Sequence, residues 1–169
     1  MNKKSGVTLI ILIVTIIVMI IILGITVSSF NDLLKNTQRD RLKTNLYLIK
    51  ARAEVLLEDF KFQFENELEK NNPTISTDNI EKYLGGTLIP SSSREVLVMG
   101  FPSASSKVYY CAWDMETLRN QGIDTSNIAS NDVFVIRYDL SGSAEEVDVA
   151  SYRGYSGDGT TKHRLSELE

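Results

Sequence analysis

Hydrophobic residues are concentrated at the start of this 169-residue chain. Residues 7–27 form an apolar run without an ionisable side chain. A helix that crosses the hydrocarbon core of a bilayer, ~30 Å thick, needs about 20 such residues. Backbone groups in lipid must be satisfied within the segment, which favours a helix despite the many β-branched side chains. The run therefore predicts a transmembrane helix over residues 7–30 of a single-pass membrane protein.

A second hydrophobic pattern follows, with apolar residues recurring every three or four positions. The opposite face carries charged residues, as a solvated helix face does. This pattern predicts that the helix continues through residues 31–72, to about Lys70, and that Pro73 ends it. A dimerising coiled coil is the alternative, but the aromatic residues near the end favour packing on a sheet. The apolar positions are Leu42, Leu46, Ile49, Ala53, Leu56, Phe60, Phe64 and Leu68.

The remaining chain alternates short β-forming runs with turn residues. Residues 73–153 are predicted to form an antiparallel β head domain, and residues 154–169 a flexible tail. The fold class is therefore α+β, a long N-terminal helix packed on a small antiparallel sheet. The predicted elements are a helix from Thr77 or Asp78 to Gly85, strands at 95–99, 107–113, 133–138 and 145–152, and a helical turn at 115–121.

The charge balance restricts the partners of the head. Lys3 and Lys4 precede the apolar run, so the chain beyond Phe30 carries 16 basic and 22 acidic residues, a net charge of −6. Recognition of nucleic acid requires a basic face, so no nucleic-acid partner is expected. Cys111 is the only cysteine, which excludes an intramolecular disulfide.

The sequence contains no combination of residues that predicts catalysis, and no cofactor or metal is expected. His163 is the only histidine and lies in the polar tail, while Cys111 is predicted to be a core residue. A catalytic thiol would need a histidine partner. Residues 157–159 lack the alternating oxygen ligands of a calcium loop. The three acidic residues Glu145, Glu146 and Asp148 are predicted to form a solvated strand edge that discourages pairing.

The junction before the apolar run has a distinctive sequence. Lys3, Lys4 and Ser5 precede Gly6, and Val7-Thr8-Leu9 follows directly. This junction resembles the class III signal of type IV pilins and pseudopilins. The resemblance implies that residues 1–6 are a leader, that a prepilin peptidase cleaves between Gly6 and Val7, and that Val7 is then N-methylated.

The sequence departs from the family pattern at Ile11, which would be the fifth residue of the mature chain after cleavage at Gly6. Family members normally carry a glutamate there, which is thought to pair with the N-terminal amine of a neighbouring subunit. In lacking this glutamate, the chain is similar to minor or tip subunits, or to the pilin-like proteins of Gram-positive bacteria that have a wholly apolar segment.

The resemblance implies a structural subunit of a type IV pilus or of a type II secretion or competence filament. Its partners would be other pilin subunits, the prepilin peptidase and the membrane assembly platform, and its head would be extracellular. The alternative is an uncleaved, signal-anchored single-pass membrane protein whose extracellular domain binds a ligand.

Overall fold

The computed structural model describes residues 4–70, 74–101, 107–141, 146–157 and 159–168. Within helix α1 it leaves the side chains of residues 4–10 and 25–29 undescribed. The chain divides into two compact units, Met1–Gln38 and Arg39–Glu169. We call them the N-terminal unit and the head unit and describe each by itself.

Helix α1 (Lys4–Gln63) is 60 residues long and contributes to both units. The prediction of one long N-terminal helix is confirmed, but the helix does not reach Lys70. The backbone leaves helical geometry at Phe64, with φ −118° and ψ 23°, and a single further turn, α2 (Glu65–Leu68), follows. Pro73, the predicted helix terminator, lies outside the described residues.

The structure corrects the predicted membrane topology. Among the residues it describes, no helix has both the length and the apolar character that crossing a bilayer requires. This finding contradicts the prediction of a transmembrane helix in a single-pass membrane protein.

The head unit is built on an antiparallel sheet of five strands in sequential order, β1-β2-β3-β4-β5. Its predicted class, α+β with a helix packed on an antiparallel sheet, is confirmed. The strands are β1 (Thr87–Ile89), β2 (Val108–Trp113), β3 (Phe134–Asp139), β4 (Val147–Tyr155) and β5 (Lys162–Arg164). The helices beside them are α3 (Thr77–Leu84), α4 (Arg94–Val98), α5 (Met115–Asn120) and α6 (Leu165–Leu168).

One face of the sheet forms the main core with α1. Successive side chains of a strand point to opposite faces, and on β3 the residues Phe134, Ile136 and Tyr138 are buried together with the inner face of α1. The predicted stripe supplies most of that inner face, with partly buried Leu42, Leu56, Phe64 and Leu68 at its margins. The fully buried α1 residues are Leu46, Ile49, Ala53, Leu57 and Phe60.

The predicted strand at residues 95–99 is wrong, because these residues form helix α4. The Ser93 side chain accepts a hydrogen bond of 3.3 Å from the backbone N–H of Val96, which caps the helix. The first strand instead lies at Thr87–Ile89, where Leu88 pairs with Cys111. Pro90 follows it and has no N–H with which to continue the ladder.

The predicted flexible tail is also wrong within the described residues. Strand β4 continues to Tyr155, and β5 and α6 follow it. Leu165 and Leu168, three positions apart on α6, are 5% and 0% exposed. Arg39 donates a hydrogen bond of 2.6 Å to the Leu168 carbonyl. Two buried leucines thus dock the C-terminal residues onto the head.

Gly86 provides a test of how closely β1 approaches β2. It has φ +71°, and a Cβ added to it would lie 2.3 Å from the backbone oxygen of Ala112. We expect Gly86→Ala to lower the free energy of unfolding by about 3 kcal/mol or more, because the clash adds to the 1–2 kcal/mol cost of left-handed backbone. Urea denaturation measures this loss.

Gly122→Ala is the matched control. Gly122 has φ +78°, but an added Cβ would meet no atom within 4 Å. This variant should lose only about 1 kcal/mol. Equal losses in the two variants would contradict the close approach at Gly86.

Candidate functional site on helix α1

The residues of the predicted cleavage signal lie at the start of α1. Lys3 is outside the described residues, whereas Lys4, Gly6, Val7, Thr8 and Leu9 have helical backbone and undescribed side chains. The assignments of cleavage at Gly6–Val7 and of methylation at Val7 stay predictions. Ile11 is the first residue of α1 with a described side chain, and it is 57% exposed.

Residues 11–23 of the N-terminal unit form the largest exposed apolar surface among the described residues; we call them the apolar segment. Twelve large apolar side chains in this segment are each 47–65% exposed. Because they are nearly consecutive, they cover every side of the helix. Thr15 interrupts the run, and its hydroxyl donates a hydrogen bond of 2.8 Å to the Leu12 carbonyl. A helix that is apolar on all sides is normally buried by other protein or by lipid.

A second exposed apolar surface lies on α1 within the head unit. Leu48, Val55 and Phe62 are seven residues apart and are 53%, 58% and 77% exposed. Residues at this spacing share one side of a helix, and we call these three the outer stripe. The outer stripe was not predicted from the sequence, because the charged residues around it indicated a solvated face. The seven-residue spacing was the signal that could have revealed it.

The sheet face directed away from the main core contains buried charges. Arg137 and Asp139 of β3 are 7% and 4% exposed, and the Arg137 guanidinium donates to the Asp139 carboxylate. The backbone N–H of Ser141 also donates to Asp139, at 3.0 Å. Asp148 on β4 is 4% exposed and lies 3.8 Å from the guanidinium of Arg164. On the same sheet face lies the small apolar cluster that includes Val96 of α4.

This arrangement corrects the predicted solvated strand edge. Asp148 is buried, because β4 is an interior strand between β3 and β5. Glu146 accepts a hydrogen bond of 2.6 Å from Lys61 of α1, which ties the start of β4 to the helix. Glu145 lies outside the described residues.

Cys111 has the environment of a structural residue. It is 0% exposed, which confirms its predicted place in the core, and burial raises the pKa of its thiol to about 12. The thiol is therefore protonated at neutral pH and is a poor nucleophile. His163 is partly buried, with Nδ1 2.9 Å from the Ser151 carbonyl oxygen. In the part of the chain that the structure describes, no group of three His, Cys, Asp or Glu residues is placed to hold a metal ion.

The buried pair on β3 predicts a pH-dependent stability difference. Burial alone would raise the pKa of Asp139, but hydrogen bonds from Ser141 and the charge of Arg137 outweigh it, and the pKa lies below its usual value. A carboxyl with a depressed pKa stabilises the fold above its unfolded pKa, about 3.9. This contribution is lost as the pH falls from there through the folded pKa.

We expect Asp139→Asn to lower the free energy of unfolding by about 3 kcal/mol at pH 7, because it leaves Arg137 buried without its counter-charge. The difference from wild type should shrink as the pH falls below about 4. Urea denaturation at pH 7 and pH 3 measures both values. Glu69→Gln removes an exposed carboxylate and should change stability by less than about 0.5 kcal/mol. A loss for Asp139→Asn that is the same at both pH values would contradict the interpretation.

Comparison with protein-family models, with curated proteins and with solved structures finds no match to this chain.

Proposed function

We propose that this chain is a pilin-like structural subunit that is cleaved between Gly6 and Val7 and assembles into a filament through its apolar segment. The observation that carries the proposal is the exposure of twelve large apolar side chains on all sides of one helix. The sequence before Val7 supports it, because Lys3, Lys4 and Gly6 resemble the residues of a prepilin signal. The proposed partners are other pilin subunits, a prepilin peptidase and an assembly platform.

The apolar segment can supply the free energy of such an assembly. Burial of apolar surface contributes about 25 cal/mol per Å², so a half-exposed Ile or Leu gains on the order of 1 kcal/mol when a neighbour covers it. Twelve such side chains together contribute on the order of 10 kcal/mol per subunit before the entropic cost of association. That is enough to hold helices side by side without a polar contact.

The side chain at Ile11 determines which kind of subunit we propose. A carboxylate buried among apolar helices is costly unless it is paired, so Ile11 removes both that cost and the docking contact that a glutamate would give. We therefore propose a minor or tip subunit, or a subunit of a filament held together by apolar packing alone. The filament would be a type IV pilus or a filament of the type II secretion or competence kind.

The head unit supports a structural rather than a catalytic role. Its only thiol is buried and protonated at neutral pH. The buried carboxylates on β3 and β4 are engaged by neighbours: Asp139 by Arg137 and Ser141, Asp148 by Arg164. The outer stripe adds exposed apolar side chains, which suit contacts with protein.

Ile17→Lys tests whether the apolar segment drives assembly. Ile17 is 51% exposed, and a lysine there would place an unpaired charge between packed apolar helices, which costs several kcal/mol. We expect the filament fraction that sediments from lysates of the native host to fall by about tenfold or more, since ~1.4 kcal/mol corresponds to a factor of ten. Electron microscopy of the sedimented fraction checks that it contains filaments.

Asn36→Lys is the control, because Asn36 is an exposed polar residue of the same helix beyond the apolar segment. It should assemble as the wild type does. The head of both variants should unfold at the wild-type urea concentration, since neither change touches its core. Unchanged filament yield in Ile17→Lys would refute assembly through the apolar segment.

A further inference from the structure

Charge is distributed along α1 and α2 in a way that matches a second copy running in the opposite direction. Val55 lies between two segments of fifteen residues each. Residues 40–54 contain four basic and two acidic residues, a net charge of +2, whereas residues 56–70 contain five acidic and two basic residues, a net charge of −3. Two copies aligned in parallel and in register would place like charges together, whereas antiparallel copies place opposite charges together.

The outer stripe has the same symmetry. Leu48 lies seven residues before Val55 and Phe62 lies seven residues after it. If a twofold axis passes beside Val55, Leu48 of each chain meets Phe62 of the other, and the two Val55 side chains meet each other. All three side chains are at least half exposed, so they are accessible for this contact.

Charged residues beside the stripe follow the same relation. Arg52 lies three positions before Val55 and Glu58 three positions after it, so the twofold axis places each Arg52 opposite a Glu58. Arg52 uses its Nε to donate to Gln121, at 3.1 Å, which leaves its terminal nitrogens as further donors. Ala51 would lie opposite Asp59, and this small side chain leaves room for close approach.

We propose that the head units of two copies of this chain associate as an antiparallel dimer through the outer stripe, with the twofold axis at Val55. Such an interface is isologous and closes on itself, so it produces a dimer and not a chain of subunits. An exposed Phe62 alone would be compatible with many kinds of partner. Two features favour a second copy of this chain: Leu48 and Phe62 lie at equal distances on either side of Val55, and the net charge has opposite sign on the two sides of Val55.

The dimer goes beyond the proposed filament and uses different residues. Filament assembly is assigned to residues 11–23, the dimer to residues 48–62. We assign the antiparallel dimer to chains outside the filament.

Cross-linking of single-cysteine variants tests the arrangement in the full chain, held in a mild detergent that covers the apolar segment. The native Cys111 is fully buried, and the wild-type chain reports its background. A short bifunctional thiol reagent should cross-link Val55→Cys to itself, and Leu48→Cys to Phe62→Cys in a mixture. Leu48→Cys alone should give wild-type background, because its two copies would be about 21 Å apart along the helices.

Other cross-linking patterns would overturn the proposal. Cross-linking of Leu48→Cys to itself as efficiently as to Phe62→Cys would indicate that the two copies do not pair in the antiparallel register. Background cross-linking of Val55→Cys would indicate that the stripe does not pair at all. Neither result depends on cleavage at Gly6 or on filament yield, so the dimer can fail while the proposed function stands.

A charge exchange checks the register independently. In the Val55→Cys background, Arg52→Glu and Glu58→Arg should each lower the cross-linked fraction several-fold. Each substitution creates a pair of like charges at both of the symmetry-related sites in the dimer. The double variant Arg52→Glu/Glu58→Arg should restore it. Failure of the double variant to restore cross-linking, when its urea midpoint matches the wild type, would contradict the assigned register.

Discussion

Burial of one face of α1 against the sheet is the contact on which the rest of the head depends. Leu46, Ile49, Leu57 and Phe60 are all at most 1% exposed, and each such side chain contributes about 1.5–3 kcal/mol on burial. Because a helix rotates about 100° per residue, fixing this face inward directs the outer stripe away from the sheet. The surface that we assign to dimerisation is therefore a geometric consequence of the packing that builds the core.

The end of α3 completes that core through two aromatic side chains. Trp113 donates a hydrogen bond of 3.0 Å from its indole nitrogen to the Gly85 carbonyl, and the Tyr138 hydroxyl donates one of 2.8 Å to the Leu84 carbonyl. Carbonyls at a helix C-terminus lack partners within the helix, and buried Trp and Tyr need acceptors. The two side chains therefore find acceptors and the two carbonyls find donors. These hydrogen bonds hold the turn after α3 against strands β2 and β3.

Much of this fold could be predicted from periodicity. The 3–4 spacing that includes Leu46 and Phe60 identified the inner face of α1, and the β-branched and aromatic runs identified β2 and β3. Residues 95–99 were wrongly predicted as a strand, because a short run with four apolar residues suits a strand or a helix equally. The Ser93 side chain caps the helix that forms there. The prediction for the C-terminal residues was wrong because tertiary contacts outweigh local composition there. Leu165 and Leu168 dock a segment whose composition had indicated a flexible tail. The charged cluster around Arg137 was not predicted, because nothing in the local sequence shows that β3 lies between β2 and β4 in the sheet.

We propose that the chain works as a processed, assembled subunit because of the sequence before Val7 and the apolar segment after it. The most direct test is the intact mass and N-terminal sequence of the chain recovered from the native host's sedimented filament fraction. Our account predicts a chain that begins at Val7 and is heavier by one methyl group than the unmodified sequence from that residue. A chain that still begins at Met1, or one absent from that fraction, would contradict it.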